Sequence, residues 1–526
     1  MGLKTRRDLS AYRKVHFRPE IHECPHCGSR LRRSHTAWSK NVQTMRGKYH
    51  ATSYAYKCPR TDCPEREVVY RSAEAESISL KYRTFGLDIV AEIGYLRYRE
   101  HRSQREILEQ LRSRGIDISE REVYELTDVF ETLIAAKPMN LDVDFYEAVE
   151  ENGGMVLMID GVQPETGNST LYMVMDALTG KVLHADFLEN SASDYVADLL
   201  EQVKALDLPV IAVVSDHQSS IVLAVKKVFP KVPHQFCHFH FLRNACLPVS
   251  EMDRNLKKEI RKRIRGIKPI EVSAEKRGDE MAGEVMDWCL VLRSLLVQPR
   301  SYFFNFGGLE VYEHLKALDE AVGRCVEARA DLLMERLSNI TCRWREFTER
   351  YELVKELSSW ARELSRILVS PGSSRKARGR MERFLSKVEA EAPRRDGEAR
   401  ESLDLMAKEI HSHWDGLFHF FDDPRIPRTN NPVEIKIRHF KSDHRRITGR
   451  KGWSDFVVQH GVSLFMVPEE ASKEEMIDWF SDVPYEQFRQ SWDVFQARRE
   501  RNRKIRVAGT DFENTLKELQ SRWIEA

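Results

Sequence analysis

The chain has 526 residues, more than the roughly 250–300 that one hydrophobic core accommodates, so three or four modules are expected. Its 83 basic and 82 acidic residues leave a formal charge of +1, so a polyanionic partner can be read only from where the charge lies. No stretch approaches the roughly 18 apolar residues of a membrane span, the N-terminus is charged where a secretory signal is apolar, and nine cysteines, four of them clustered early, argue against a disulfide framework. These features lead us to expect a cytoplasmic chain with no membrane partner. Basic residues outnumber acidic ones from Met1 to Arg71 and again from Arg425 to Lys451. Such local excess is the footprint of phosphate binding, or simply a solvated face.

In chain order, Cys24-Pro25-His26-Cys27 and Cys58-Pro59-Arg60-Thr61-Asp62-Cys63 come first, as C-x2-C and C-x4-C thirty residues apart. Tetrahedral Zn²⁺ takes four soft ligands, and two such knuckles supply them from two turns. Cys24, Cys27, Cys58 and Cys63 are therefore the expected zinc ligands, and they complete the shell without His22 or His26. The alternating segment from Val42 to Lys57 is strand-like, as a small zinc ribbon requires. Ser103 and Ser119 then read as N-caps of two helices separated by Gly115. The pair resembles a helix-turn-helix with Ser119 to Phe130 as recognition helix, although any small helical hairpin has the same grammar.

From Gly154 the pattern becomes α/β. Met155-Val156-Leu157-Met158-Ile159-Asp160 is a short unbroken apolar run ending on a carboxylate, the mark of a strand buried on both faces. Ser169 to Asp176 and Lys181 to Phe187 read as two further strands. A helix capped by Ser193 follows, with Val196, Leu199, Leu200 and Val203 as its apolar stripe. Val210 to Asp216 repeats the first run. A helix over Ser219 to Phe229, a strand over Pro233 to Cys237 and a further helix complete the series. Three antiparallel strands, helix, strand, helix, strand is the order of a ribonuclease-H-like core. Asp160 and Asp216 on one sheet edge suit a hard divalent cation, while strand-end Asp residues also serve as turn starters.

Asp253 to about Phe420 reads as a charged helical region broken at Ser370–Lys376, with Trp288, Trp344, Trp360 and Trp414 as core residues. Thr429-Asn430-Asn431-Pro432-Val433-Glu434 then opens another helix, with Asn431 as expected N-cap, Pro432 first and Glu434 third. On that numbering Glu434 either closes a capping box or heads the row Arg438, Lys441 and Arg445 beside a buried stripe of Val433, Ile437 and Phe440.

The combination resembles the DDE transposases of bacterial insertion sequences, in the broad group that includes the Mutator-like elements. Asp160 and Asp216 match the two Asp positions, Cys237 and His240 the C-x-x-H signature, and Thr429 to Glu434 the T-N-N-x-x-E helix. The segment Gly161-Val162-Gln163-Pro164-Glu165 departs from the basic residues of some relatives. The resemblance spans most of Cys24 to Gly461, and the tail lies outside it.

The resemblance implies a multidomain α/β and α chain. Residues 1–75 would form a basic leader and zinc ribbon, 76–140 a helix-turn-helix, 141–250 the first part of a ribonuclease-H-like core, 251–422 an all-helical insertion, 423–465 the last core helix, and 466–526 a helical tail. It further implies an Mg²⁺- or Mn²⁺-dependent transposase that cuts and joins element ends. Asp160, Asp216 and Glu434 would be the catalytic metal ligands. Cys237, His240, Asn430 and Asn431 would support them from behind, and Arg438, Lys441, Arg445 and Arg446 would contact DNA backbone. Partners would be duplex DNA, as terminal repeats and target, and further copies of the chain in a dimer or higher oligomer at the nucleoid. A DNA-binding derivative with an inert core, and a ribonuclease-H-like nuclease without strand transfer, share these residues.

Overall fold

The computed structural model describes residues 12–137, 141–162, 169–188, 192–297, 303–467 and 471–525. Gln163, Pro164 and Glu165 of the turn after Asp160 lie outside these residues. The chain is mixed α/β and mostly helical, and among the described residues no helix is long and apolar enough to cross a membrane.

The N-terminal strands β1 (Arg13–Phe17), β2 (Arg32–Thr44) and β3 (Gly47–Lys57) form a sheet of order β1-β3-β2. β2 and β3 pair antiparallel from Thr44↔Gly47 to Arg32↔Lys57. The thirty residues between the knuckles are thus mainly a hairpin that brings its two ends together. The helices α1 (Ala73–Ile78), α2 (Leu87–Gly94), α3 (Gln104–Ser113), α4 (Glu120–Ala136) and α5 (Val143–Asn152) follow. Ser103 and Ser119 cap α3 and α4 in full capping boxes with Glu106 and Glu122. Gly115 sits at φ +79 between them, where a side chain would be strained.

The second sheet contains β4 (Met155–Val162), β5 (Thr170–Asp176), β6 (Val182–Leu188), β7 (Val210–Ser215) and β8 (His234–Phe236), in the order β6-β5-β4-β7-β8. Met155 to Ile159 are fully buried, which is why their sequence shows no alternation. β4 does not stop at Asp160. It continues through Gly161 and Val162, and Asp160 pairs with Met173 of β5. A Cβ on Gly161 would lie 2.9 Å from the Tyr172 ring, so this position admits the strand only without a side chain. The helix α6 (Ser193–Lys204) has Ala192 at its N-cap, with no side-chain cap bond, so the expected cap Ser193 is its first helical residue. α7 (Ser219–Val228) and α8 (His238–Ala245) flank β8 in sequence, and β8 is shorter at both ends than expected.

The helices α9 (Leu247–Arg263), α10 (Ile267–Arg277), α11 (Glu280–Val297), α12 (Gly307–Ala328), α13 (Leu332–Thr341), α14 (Thr348–Val369), α15 (Ser374–Glu391) and α16 (Gly397–His413) share one apolar core. Trp288, Trp344, Trp360 and Trp414 are half-buried against it. α17 (Asn431–Thr448), α18 (Ser454–Met466), α19 (Lys473–Ser481), α20 (Tyr485–Thr510) and α21 (Phe512–Glu525) complete the chain.

Packing divides the molecule into two units. The first is Met1–Ile211, Val222–Pro230 and Asn431–Ala526, and the second is Ala212–Ile221 and Lys231–Asn430. In the first, α18 packs against β5, β6 and α4, while α17 packs against β4. α17 begins one residue earlier than expected, at Asn431, so Glu434 is its fourth residue and the capping-box position falls to Val433. Its buried residues are Val433, Ile437 and His444. Phe440 is only half-buried, with its ring 4.9 Å from that of Phe465.

Candidate metal and nucleic-acid sites

Each N-terminal knuckle is shaped by its own backbone. Cys24 N–H donates to the Ser29 carbonyl at 2.9 Å and Gly28 N–H to the Cys24 carbonyl at 3.0 Å, with Gly28 at φ +67. The second knuckle leaves β3 directly. The ligand atoms of Cys24, Cys27, Cys58 and Cys63 all lie within 4.8 Å of one another. The Cys27 and Cys58 sulfurs are 3.5 Å apart, and those of Cys24 and Cys63 are 3.8 Å apart. A regular tetrahedron with Zn–S bonds of about 2.3 Å has S–S edges of about 3.8 Å, so the donor set fits zinc. Burial pushes the Cys58 thiol up and Cys63 to about 12, while hydrogen bonds from Ser29 pull Cys27 down to about 6. His26 Nδ1 stands 3.9 Å from the Cys63 sulfur, outside the four-thiol set. Among the described residues no second group of three or more His, Cys, Asp or Glu side chains converges in this way.

The expected catalytic carboxylates belong to both units. In the first, Asp160 lies on β4 and Glu434 on α17, two elements that pack together. Both side chains are half-buried, and Asp160 Oδ1 accepts the Gly161 N–H at 2.8 Å. In the second, half-buried Asp216 directly follows β7, and its Oδ1 accepts the Gln218 N–H at 3.2 Å. Histidines crowd this end of β7. Ser215 Oγ lies 2.8 Å from His234 Nε2 and donates to the Asp216 carbonyl at 2.6 Å. The rings of His217 and His413 stand 3.9 Å apart, and both contact Phe236. Burial lowers the His217 pKa, takes His413 to about 4 and His234 to about 3. The imidazoles around Asp216 are therefore neutral near pH 7. Their recurrence at 217 and 234 was the available sequence signal for this cluster, while His413 is far away in the chain.

The C-x-x-H segment reaches across nearly two hundred residues within the second unit. Buried Cys237 is the N-cap of α8, and its sulfur accepts the N–H of fully buried Asn430 at 3.3 Å. His238 N–H donates to the Arg428 carbonyl at 2.9 Å, and its Nε2 lies 2.8 Å from the Leu417 carbonyl. Gln235, also fully buried, accepts the Phe420 N–H at 3.0 Å. Together these bonds hold the stretch that leads into α17. His238 and Gln235, absent from the sequence-derived set, do as much here as Cys237, whereas His240 is half-buried. Asn431 is the exposed first residue of α17.

Arg438, Lys441, Arg445 and Arg446 are all exposed on α17, and the Lys441 ammonium sits 4.7 Å from the Trp453 ring centre. The proposed recognition helix α4 is different. Glu120 and Arg121 are exposed near its start, along with Tyr124, and Glu125 is half-buried, whereas Leu126 to Ile134 are buried throughout. Glu131, fully buried, accepts from the Tyr98 hydroxyl and meets His460 Nδ1 at 2.7 Å. Asp128 pairs with Arg499 of α20.

Comparison with protein families gives two matches. The family described as Transposase IS66 family matches residues 338–459, and Transposase, Mutator family matches residues 186–292. Asn430, Asn431 and Glu434 fall within the first stretch, and Asp216, Cys237 and His240 within the second, with Asp160 outside both. No curated protein matches the chain.

Proposed function

Starting from an insertion-sequence transposase, which both family matches support, we propose that the chain cuts and joins DNA ends with a carboxylate triad of Asp160, Asp216 and Glu434. The observation that carries this reading is the pairing of a β4 carboxylate with a helix that packs on β4, carries Glu434 as its fourth residue and is exposed through Arg438, Lys441 and Arg445. Carboxylate oxygens suit hard Mg²⁺ or Mn²⁺. When bound, such ions activate the attacking hydroxyl and offset charge on the leaving oxygen. The residues' own task is position and charge, since phosphoryl transfer needs little covalent help. Cys237, with His238, Gln235 and the backbone of Asn430, fixes the approach to α17, and His240 and Asn431 lie beside these elements. Arg438, Lys441, Arg445 and Arg446 hold the duplex by its phosphates without reading sequence. The five-stranded sheet and the helices α9–α16 are read as a ribonuclease-H-like core and its helical insertion, a reading supported by the order of three antiparallel strands, helix, strand, helix, strand. The N-terminal sheet acts as a zinc ribbon that selects terminal repeats, and two or more copies assemble on the DNA.

The test is Glu434→Gln. Because Glu434 is the fourth residue of α17 and the box position belongs to Val433, the amide loses no capping-box bond and forfeits an acidic first-turn contribution of about 0.3–1 kcal/mol. A metal ligand loses its negative charge altogether. The variant is expected to fold and bind repeat DNA normally yet lose Mg²⁺-dependent cleavage, as are Asp160→Asn and Asp216→Asn. Cleavage by the Gln variant at near wild-type rate would remove Glu434 from the active site.

A further inference from the structure

At its C-terminal end α2 passes into a π-helical turn, Tyr95–Arg99, a rare geometry that tends to mark functional sites. His101, just beyond it, has φ +54, a conformation that strains a non-glycine residue and is kept where surrounding structure imposes it. Between this turn and α17 lies a cavity of about 380 Å³ lined in part by Arg97, Arg99, His101, Lys436, His439 and His444. Three permanent cations, Arg97, Arg99 and Lys436, face a single lining carboxylate, Asp443, which stands 3.8 Å from His101 Nε2. Arg97 is only 6 % exposed. Its Nη1 donates to the Arg102 carbonyl at 3.1 Å, its guanidinium lies 5.7 Å from the Phe456 ring centre, and among the described residues no carboxylate pairs with it. An arginine this deeply buried is ordinarily matched by an anion. At 100° per residue, Lys436 points about 200° away from Glu434 around α17, so this cationic lining is distinct from the row Arg438, Lys441 and Arg445.

We propose that the cavity is a phosphate-binding site that seats a backbone phosphate of duplex DNA. The proposal rests on the DNA-processing reading above and extends it: α17 would touch the nucleic acid on two opposite faces, one beside Glu434 and one against the π-helical turn. A guanidinium pre-set by burial and by its bond to Arg102 suits an oxyanion, because little side-chain freedom is lost when the anion arrives.

The test uses the full chain and the variant Arg99→Gln/Lys436→Gln, which leaves buried Arg97 in place. Inorganic phosphate should raise the melting temperature of the wild type and not of the variant, with Arg438→Gln/Lys441→Gln responding like the wild type. In binding to a short duplex, the Arg99/Lys436 variant should lose affinity equally for repeat and random sequence, and its slope of log K against log salt should shrink by about 0.9, one phosphate contact. An unchanged slope overturns the proposal, and so does equal stabilisation of wild type and variant by phosphate. If the wild type binds no duplex at all, the DNA reading itself falls. A phosphate response confined to the wild type would then mark the cavity as a site for free phosphate and overturn the DNA assignment.

Discussion

Replacing Cys63 by Ser tests the N-terminal cluster most directly. The sulfur separations of 3.5 and 3.8 Å are already close to the tetrahedral edge of about 3.8 Å for zinc thiolate, so little rearrangement opposes binding. Apolar support nearby is thin. Leu31 is the buried aliphatic residue of the cluster, with Tyr56 and Tyr70 partly buried beside it. Burying one leucine contributes about 1.5–3 kcal/mol, whereas zinc binding in small modules contributes about 10–16 kcal/mol of folding energy. The metal term therefore dominates the knuckle end. With burial holding Cys63 at about 12 and Cys58 raised, these two thiols ionise only as the ion enters, and metal uptake releases protons. Elemental analysis of protein purified under reducing conditions should find one zinc per chain. Cys63→Ser should fall below about half an equivalent, with faster hydrogen exchange confined to the knuckles and hairpin. Cobalt substitution should give a tetrahedral thiolate spectrum in the wild type alone. Less than about half an equivalent in the wild type, or the same content in the variant, would refute the four-thiolate site.

Two further perturbations address packing. Burial first, and the Glu131 charge second, raise Asp128 from 3.8 to about 6, so the folded state holds a proton that the unfolded state releases, and stability declines as pH climbs from about 4 through 6. Asp128→Asn should therefore raise the melting temperature at pH 7.5, by up to about 3 kcal/mol in stability, and make little difference at pH 4; a lower melting temperature at pH 7.5 would show that the Arg499 pair dominates. Cys237→Ala removes the acceptor for the buried Asn430 N–H, which should cost about 1–3 kcal/mol in chemical denaturation and slow cleavage, with Cys237→Ser recovering part of both. Equal stability of the Ala variant and wild type would detach Cys237 from the support of residues 417–430.

Features set by adjacent residues were legible in the sequence. β4 could be read because a strand covered on both faces needs no alternation, and the two cysteine knuckles because metal geometry dictates their spacing. The starts of α3 and α4 could be read because Ser103 and Ser119 stand three residues before Glu106 and Glu122. Features set by distant partners were not. Nothing in Tyr-Leu-Arg-Tyr-Arg distinguishes a π-helical turn from an α-helix. The contact of His413 with His217, and the grip of Gln235, Cys237 and His238 on residues 417–430, exist only once the second unit has folded. The end of β4 was misplaced because the local sequence places an Asp and a Gly at a turn, whereas pairing with Tyr172 and Leu171 carries the strand on to Val162.

The same distinction bears on how the first unit would meet DNA in the proposed function. A helix that reads bases needs a free face along several turns, but α4 presents one only over its first turns, and Glu120 and Glu125 flank Arg121 there. Beyond that point its side chains are core, tied through Glu131 to His460 of α18 and through Asp128 to Arg499 of α20. The residues after Met466 strengthen this anchoring. Gln487 donates to the Ala136 carbonyl at 2.6 Å and the Trp479 ring N–H to that of Lys137 at 2.9 Å, which satisfies acceptors that a helix end leaves open. Met476 and Phe480 are buried, and α19 packs against α2. The tail is thus a structural partner of α4, although it lies outside both family matches. A helix locked in this way serves better to hold the π-helical turn and its Arg97 in register than to insert into a groove. The cationic surface left to engage phosphate in this unit is then that of α17, the N-terminal hairpin and α20, where Arg501, Arg503 and Lys504 are exposed.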